Sequence, residues 1–276
     1  MSPRAGIVMG ELIFVGLGLY GSLDISLRGL EEVKAADHVF AELYTSLMPG
    51  FTTEAFKEIS GREPIIVSRK NLEDEDGKLI LEKAREGRVV LLVPGDPLIA
   101  TTHIALRIKA EKMGVKTRIV HGASIISAAV GLSGLQNYRF GKSVTIPFPE
   151  DERFSQTPYT VIAENKVRNL HTLCFLDIRA KEKKYMTVRE ALEILLLLEK
   201  NNKRNIIGER SLAVGVARAG SNDAAVKADS VENLMGFDFG NPPHILIIPA
   251  ETLHFMEAEA LITLADAPEW IKEMIK

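Results

Sequence analysis

The chain of 276 residues has a single cysteine, Cys174, so an intramolecular disulfide and a cysteine-based metal site are both excluded. Cys174 lies in the apolar run Leu173-Cys174-Phe175-Leu176, where a thiol behaves as a small buried hydrophobe. Histidine is scarce as well. His103, His121, His171 and His254 show no metal-ligand spacing, and no metal is expected. A basic excess is also missing. The formal net charge is -3 and no basic stripe is visible, which argues against nucleic acid as a partner. Long apolar runs are absent too. The stretch Ile194 to Leu198 is far too short to span a bilayer, so no membrane partner is expected. Residues 5–20 are apolar-rich after Arg4, but Glu11 interrupts them and no small-residue cleavage site follows. The expectation is a cytoplasmic protein without a signal peptide, with residues 1–10 as a loose extension.

A hydrophobic content of 46% against 26% charged residues is enough for a sizeable core, and the length suits two domains. Strand and helix signals alternate along the first half. Leu12–Val15, Val39–Ala41, Pro64–Val67, Val89–Val93 and Thr117–Val120 read as strands. Residues 26–36, 52–59, 79–85 and 101–113 read as helices, with glycines at 87 and 114 as stops. The uninterrupted apolar run Val89–Val93 predicts a strand buried on both faces of a parallel sheet. This rhythm predicts an α/β fold with a doubly wound, parallel N-terminal domain over 11–122. The character changes after that point. Residues 124–132 form a small apolar helix. Strands follow at 144–148, 172–176, 212–217 and 244–248, and helices at 159–168, 187–200 and 252–265. Thr187 and Glu190 make a capping-box pattern. Pro147, Pro149 and Pro158 point to a mixed α/β sheet in the C-terminal domain, 123–276. The acidic run Glu73-Asp74-Glu75-Asp76 reads as a solvated turn.

Gly16, Gly18 and Gly21 match G-x-G-x-x-G after a strand, the pattern of a dinucleotide site. In that pattern the glycines open the helix directly. Here Ser22-Leu23-Asp24-Ile25 intervenes, and Glu42 lies further along than the usual acidic partner. A nicotinamide-dependent oxidoreductase therefore stands only as a rival. Gly141-Lys142-Ser143 lacks the glycine a phosphate loop requires, because Gln136 is there. Pro94-Gly95-Asp96-Pro97 says more. It follows a buried strand, so Asp96 lies where open α/β sheets bind ligands, with a turn or helix cap as the plain alternative. Ser124-Ile125 begins a helical segment, which suits a carboxylate or a simple N-cap. Asp177, Arg218 and His244 fall at strand ends.

Taken together, Phe14-Val15-Gly16-Leu17-Gly18-Leu19, Ala41 to Leu47, Pro94-Gly95-Asp96-Pro97 with Ala100 to His103, Phe175 to Ile178, Ala217 to Ser221 and Asn241 to Leu246 resemble the diphthine synthases of the archaeal type. These belong to the wider tetrapyrrole-methylase superfamily. The resemblance runs in order from about residue 11 to 270. The glycine loop and the Gly-Asp-Pro turn are superfamily features. The Tyr-Thr-Ser-Leu and Thr-Thr-His stretches point to the diphthine branch.

The resemblance implies two α/β domains with S-adenosyl-L-methionine in the cleft between them, and a homodimer. It implies cofactor contacts from Leu19, Asp96, Ile99, Ser124, Ile125, Leu176, Ala217 and His244. The implied activity is N-methylation, up to trimethylation, of 2-(3-amino-3-carboxypropyl)histidine in elongation factor 2, a step of diphthamide biosynthesis. Arg179 or Arg218 is expected to pair with the acceptor carboxylate, because a guanidinium fork suits that group. No residue stands out as a catalytic base. The remaining rivals are a tetrapyrrole or ribosomal RNA methyltransferase of the same superfamily and a non-catalytic ligand sensor.

Overall fold

In the computed structural model, residues 10–151 and 153–276 are described. The expected extension over 1–10 falls, save for Gly10, outside them. The chain divides after Ser124 into two compact units, against an expected division at 122/123.

The first unit contains β1 (Glu11–Gly16), α1 (Leu27–Lys34), β2 (His38–Glu42), α2 (Thr53–Ser60), β3 (Ile65–Val67), a π-helical turn (Lys70–Asp74), α3 (Lys78–Glu86), β4 (Arg88–Val93), α4 (Ile104–Lys112) and β5 (Lys116–Val120). The five strands form one parallel sheet in the order β3-β2-β4-β1-β5. Alternation along each strand explains the layering. Leu12, Phe14, Phe40, Val89 and Leu91 share a cluster with Leu81 of α3 and Leu106 of α4. Ile13, Val15, Ala41, Val90 and Leu92 join Val33 of α1 and Phe56 of α2 on the opposite face. Burying each large apolar side chain contributes about 1.5–3 kcal/mol. Covering both faces is what keeps β1 and β4 apolar beyond their first residues, Glu11 and Arg88. At the N-terminal edge, the Arg118 fork donates to Glu32 at 2.8 and 2.9 Å, and those bonds hold the Glu32 carboxyl below its usual range.

The second unit contains α5 (Ile125–Ser133), β6 (Val144–Ile146), α6 (Thr157–Val167), β7 (Thr172–Leu176), β8 (Ile178–Arg179), β9 (Lys184–Tyr185), α7 (Val188–Asn202), β10 (Leu212–Ala217), β11 (Ala225–Ser230), α8 (Val231–Gly236), β12 (His244–Ile248) and α9 (Phe255–Ala265). Its main sheet runs β11-β10-β12-β7-β6. Only β6 and β7 are parallel, so the sheet is mixed as the prolines suggested. Thr187 caps α7, and Glu190 returns the bond to the Thr187 N–H at 2.8 Å. The helix buries Val188, Ala191, Leu192, Leu195 and Leu198 on one face.

Several expected boundaries shift. The helix expected from Thr101 begins at Ile104, because Ala100 sits at φ +55° and residues 101–103 make a turn. The strand expected to reach 148 stops at Ile146, before Pro147. The acidic stretch expected to be a plain turn starts inside the π-helical turn and becomes one only beyond it.

A buried ion cluster locks the second unit. Glu257 is fully buried on α9. It accepts from the Gln136 N–H at 3.0 Å and the His254 N–H at 2.9 Å, faces His171 Nε2 at 2.9 Å, and pairs with Arg139. Burial alone would raise its pKa, but the bonds from His171, His254 and Gln136 outweigh it and bring the carboxyl down to about 2. The ionised form is thus favoured in the native state. That stability is complete above the ordinary value of 4.5 and is lost as pH falls through about 2. The drop corresponds to about 3 kcal/mol. Glu257→Gln is expected to cost about 3–5 kcal/mol in urea denaturation at neutral pH, since it strands buried donors. The variant should also lose much of the acid-dependent destabilisation. Equal stability of both proteins would contradict this role.

Candidate active site

Two adjacent strands of the parallel sheet send their connections to opposite faces. The chain leaves β1 toward α1, and it leaves β4 toward α4. Such a divergence opens a crevice at the carboxyl ends of the strands, where α/β sheets bind ligands. Here the two exit loops are stitched together. Gly18 N–H donates to the Gly95 carbonyl at 3.3 Å, and Gly95 N–H donates back to Gly18 at 2.7 Å. Both glycines are left-handed, at φ +82° and +69°. A Cβ on Gly18 would stand 2.4 Å from Asp24 Cβ. On Gly95 the nearest atom would be the Ala123 carbonyl at 3.9 Å, so the space beside this glycine is open. Asp24 Oδ2 ties the far side of the β1 loop, accepting from the Tyr20 and Gly21 N–H groups at 2.7 and 3.0 Å.

The glycine pattern therefore serves close loop contact. Gly21 precedes a short 3-10 turn, and α1 starts at Leu27 with Ser26 as its cap. A dinucleotide fingerprint would open the helix directly.

Asp96 extends from this edge and is 8% exposed. Its Oδ1 accepts from the Leu98 N–H at 3.3 Å, and its Oδ2 faces His121 Nδ1 at 2.7 Å. It does not cap α4, whose start carries no side-chain cap. No arginine or lysine is bonded to Asp96 among the described residues. Its histidine partner lies in water, with the His121 side chain 75% exposed. A carboxylate withdrawn from solvent beside an open glycine suits a ligand hydroxyl or ammonium. Leu19 is half-buried beside this loop pair, and Ile99 stands exposed in the β4–α4 loop. Ser124 is half-buried and directly precedes α5. Sequence reasoning weighed His121 only as a metal ligand. Its position immediately after β5, at the same end of the parallel sheet as Asp96 after β4, is the signal that was there.

In the second unit, Leu176 ends β7, Ala217 ends β10, and His244 begins β12 opposite Ala217. Phe175 pairs with Ile245, so the antiparallel register brings all three residues to one edge of the mixed sheet. Ile125 begins α5, which packs on β10 and α9. His244 Nε2 lies 3.1 Å from the Gly240 carbonyl, and Nδ1 faces the Val188 N–H at 3.4 Å. Burial pushes its pKa down, which keeps the ring neutral. A neutral imidazole is the form that tolerates a nearby cation.

The two arginines differ. Arg218 folds back on its own loop. Nε donates to Asp223 Oδ2 at 2.7 Å, Nη1 to the carbonyls of Phe239 and Asn241, and Nη2 to the Asp223 carbonyl at 2.9 Å. With these bonds made inside its own loop, Arg218 acts as a loop latch. Arg179 stacks over the Phe148 ring at 5.4 Å, donates a long bond to the Pro149 carbonyl at 3.4 Å and pairs loosely with Glu182 at 3.9 Å. Asp177, also at this edge, accepts from the Phe148 and Ile178 N–H groups at 2.9 and 2.8 Å and so holds the loop under Arg179.

The chain is similar to known proteins over most of its length. The family model of tetrapyrrole (corrin/porphyrin) methylases matches residues 11–235. The diphthine synthase of Methanosarcina acetivorans is 50% identical over 95% of this chain and 98% of its own length. That of Methanocaldococcus jannaschii is 46% identical over 92% of this chain and 99% of its own. The chain belongs to the diphthine synthases. A crystal structure of diphthine synthase superposes with a TM-score of 0.88 at 45% identity, covering 96% of this chain and 100% of that one. As a diphthine synthase, the chain is a methyltransferase of the tetrapyrrole-methylase fold.

The stitched loops of this diphthine synthase tolerate little added volume. A Cβ on Gly16 would lie 2.5 Å from the Gly95 carbonyl and 2.6 Å from the Gly122 nitrogen, both backbone. Gly16→Ala is expected to cost about 1–3 kcal/mol by forcing the loops apart. A Cβ on Gly131, inside α5, meets nothing within 4 Å, so Gly131→Ala should stabilise by about 0.5–1 kcal/mol. Thermal unfolding of both variants checks the contrast. A Gly16→Ala protein as stable as the parent would contradict the close contact.

Proposed function

We propose that the chain transfers methyl groups from S-adenosylmethionine to the amino group of 2-(3-amino-3-carboxypropyl)histidine in elongation factor 2. It would carry this out as a cytoplasmic homodimer, within diphthamide biosynthesis. The observation that carries the reading is the open glycine edge with the buried carboxylate of Asp96 beside it, bonded to no arginine or lysine among the described residues. The identity to diphthine synthases over nearly the whole chain supports the substrate.

The residues present suit the methyl donor. Asp96 offers a carboxylate for a hydroxyl or ammonium, and Gly95 leaves room for close approach. Leu19, Ile99, Ile125, Leu176 and Ala217 supply apolar contact. Ser124, at the start of α5, suits a carboxylate. His244, kept neutral by burial, suits the neighbourhood of a sulfonium. Bound S-adenosylmethionine supplies a methyl group already activated for transfer. What remains for the protein is to align the acceptor nitrogen and exclude competing water. Orientation of this kind supplies up to about 7–11 kcal/mol. Arg179 is the fork we assign to the acceptor carboxylate, since Arg218 is engaged in its own loop.

Mass spectrometry tests the reading. Elongation factor 2 carrying the aminocarboxypropyl-histidine is incubated with the protein and S-adenosylmethionine. Stepwise methyl gain on that residue is expected, and the number of steps gives the multiplicity. No gain, with S-adenosylhomocysteine still binding tightly, would move the substrate to a tetrapyrrole or ribosomal RNA. Asp96→Ala should weaken S-adenosylhomocysteine roughly ten- to a hundredfold in calorimetry, the loss of one charged hydrogen bond. Arg179→Ala should raise KM for the protein substrate and leave that affinity intact.

A further inference from the structure

Glu42 ends β2 with its side chain wholly out of solvent. It accepts from the Thr45 hydroxyl at 2.6 Å and from the Tyr44 and Thr45 N–H groups at 3.1 and 3.2 Å. No arginine or lysine pairs with it among the described residues. The titratable group closest to it is His103, whose Nε2 lies 3.2 Å from Glu42 Oε1. His103 is 3% exposed, and its Nε2 is the atom that faces this carboxylate. The Tyr44 hydroxyl bonds Glu73 on the other side. A buried imidazole oriented by a buried carboxylate is the arrangement of a positioned base.

The position agrees. His103 closes the loop that carries Asp96 and Ile99, and β2 lies next to β4 in the sheet. His103 lines a groove of about 270 Å³ with Leu72, Glu73, Thr102 and Lys109. The π-helical turn, an irregularity that recurs at functional sites, shapes one wall.

We propose that His103 is the proton acceptor of the methyl-transfer reaction, held by Glu42 in the tautomer that leaves Nδ1 as its basic nitrogen. The inference rests on the function proposed above. The acceptor amine arrives as an ammonium. One N–H bond breaks, its electron pair stays on nitrogen, and the proton passes to Nδ1. The freed pair forms the new N–C bond as the methyl carbon's bond to sulfur breaks with both electrons left on sulfur. One proton is released per methyl, so the same base serves each round and returns its proton to water through the groove. Geometry of this kind is loose without substrate and tightens with it. Besides Glu42, the charged groups around His103 are Glu73 and Asp76 beside the π-helical turn and Lys109 on α4, which pairs with Asp76 at 3.1 Å. Arg69 lies over the Tyr44 ring at 5.5 Å. Burial, with Glu42 and Glu73 nearby, pushes the Tyr44 phenol up, so it stays a donor and leaves the base role to His103.

The test compares native protein, His103→Ala and Glu42→Gln on the modified elongation factor. His103→Ala should lower kcat by about 10²–10⁴-fold, with S-adenosylhomocysteine affinity unchanged in calorimetry. Imidazole added to solution should restore part of the rate. Glu42→Gln should lower kcat less. A His103→Ala kcat within about threefold of native overturns the assignment, as does a loss that imidazole does not relieve. If His103→Ala does not fold, nitrogen-15 spectra of the native protein decide. A proton on Nε2 with Nδ1 bare supports the assignment, and the reverse tautomer overturns it. A native protein inactive on elongation factor 2 removes the proposed function and this inference together. An active native protein with an equally active His103→Ala removes this inference alone.

Discussion

The backbone pairing between Gly18 and Gly95 is the constraint on which the first unit's site depends. Two loops leaving neighbouring strands toward opposite faces would ordinarily diverge. Here reciprocal N–H donation holds them together, both glycines take the left-handed geometry that glycine favours, and at Gly18 a Cβ would also clash with Asp24. The sheet beneath makes this possible. Its central strands are apolar on both faces, so their ends are fixed by packing. Asp96 inherits that rigidity and remains withdrawn from solvent, with His121 as its side-chain partner.

Three carboxylate–histidine pairs separate structural from chemical roles. Glu257 and His171 are both fully buried, and each is completely satisfied: His171 Nδ1 accepts from the Ala250 N–H at 2.9 Å while Nε2 meets the carboxylate. That pair belongs to the core of the second unit. Asp96 and His121 are asymmetric, with the acid buried and the imidazole in water. Glu42 and His103 are buried like the first pair, but the imidazole lines a groove that reaches solvent. The first pair is sealed in a core, and the third is open on one side.

Much of the fold was legible because hydrophobic period follows burial. Val89–Val93 announces a central strand, and the Thr187–Glu190 cap announces α7. β11 and α8 escaped notice for a physical reason. Ala225–Ser230 is an edge strand carrying Lys227 and Asp229, so it lacks the apolar run of a central strand. The positions of Asp96 and His244 follow from strand ends, which sequence can locate. The pairing of Glu42 with His103 does not, because it arises from the adjacency of β2 and β4 in space. The setting of Arg218 was hidden for a related reason. A guanidinium reads as a free fork until its own loop, turned by a residue at φ +49°, supplies the acceptors.

The central claim is that the edge formed by the β1, β4 and β5 exits holds the methyl donor. Hydrogen–deuterium exchange with and without S-adenosylhomocysteine tests it most directly. The account predicts slowed exchange in residues 17–24, 95–103 and 121–124. Saturating ligand with no protection at 95–103 would contradict it.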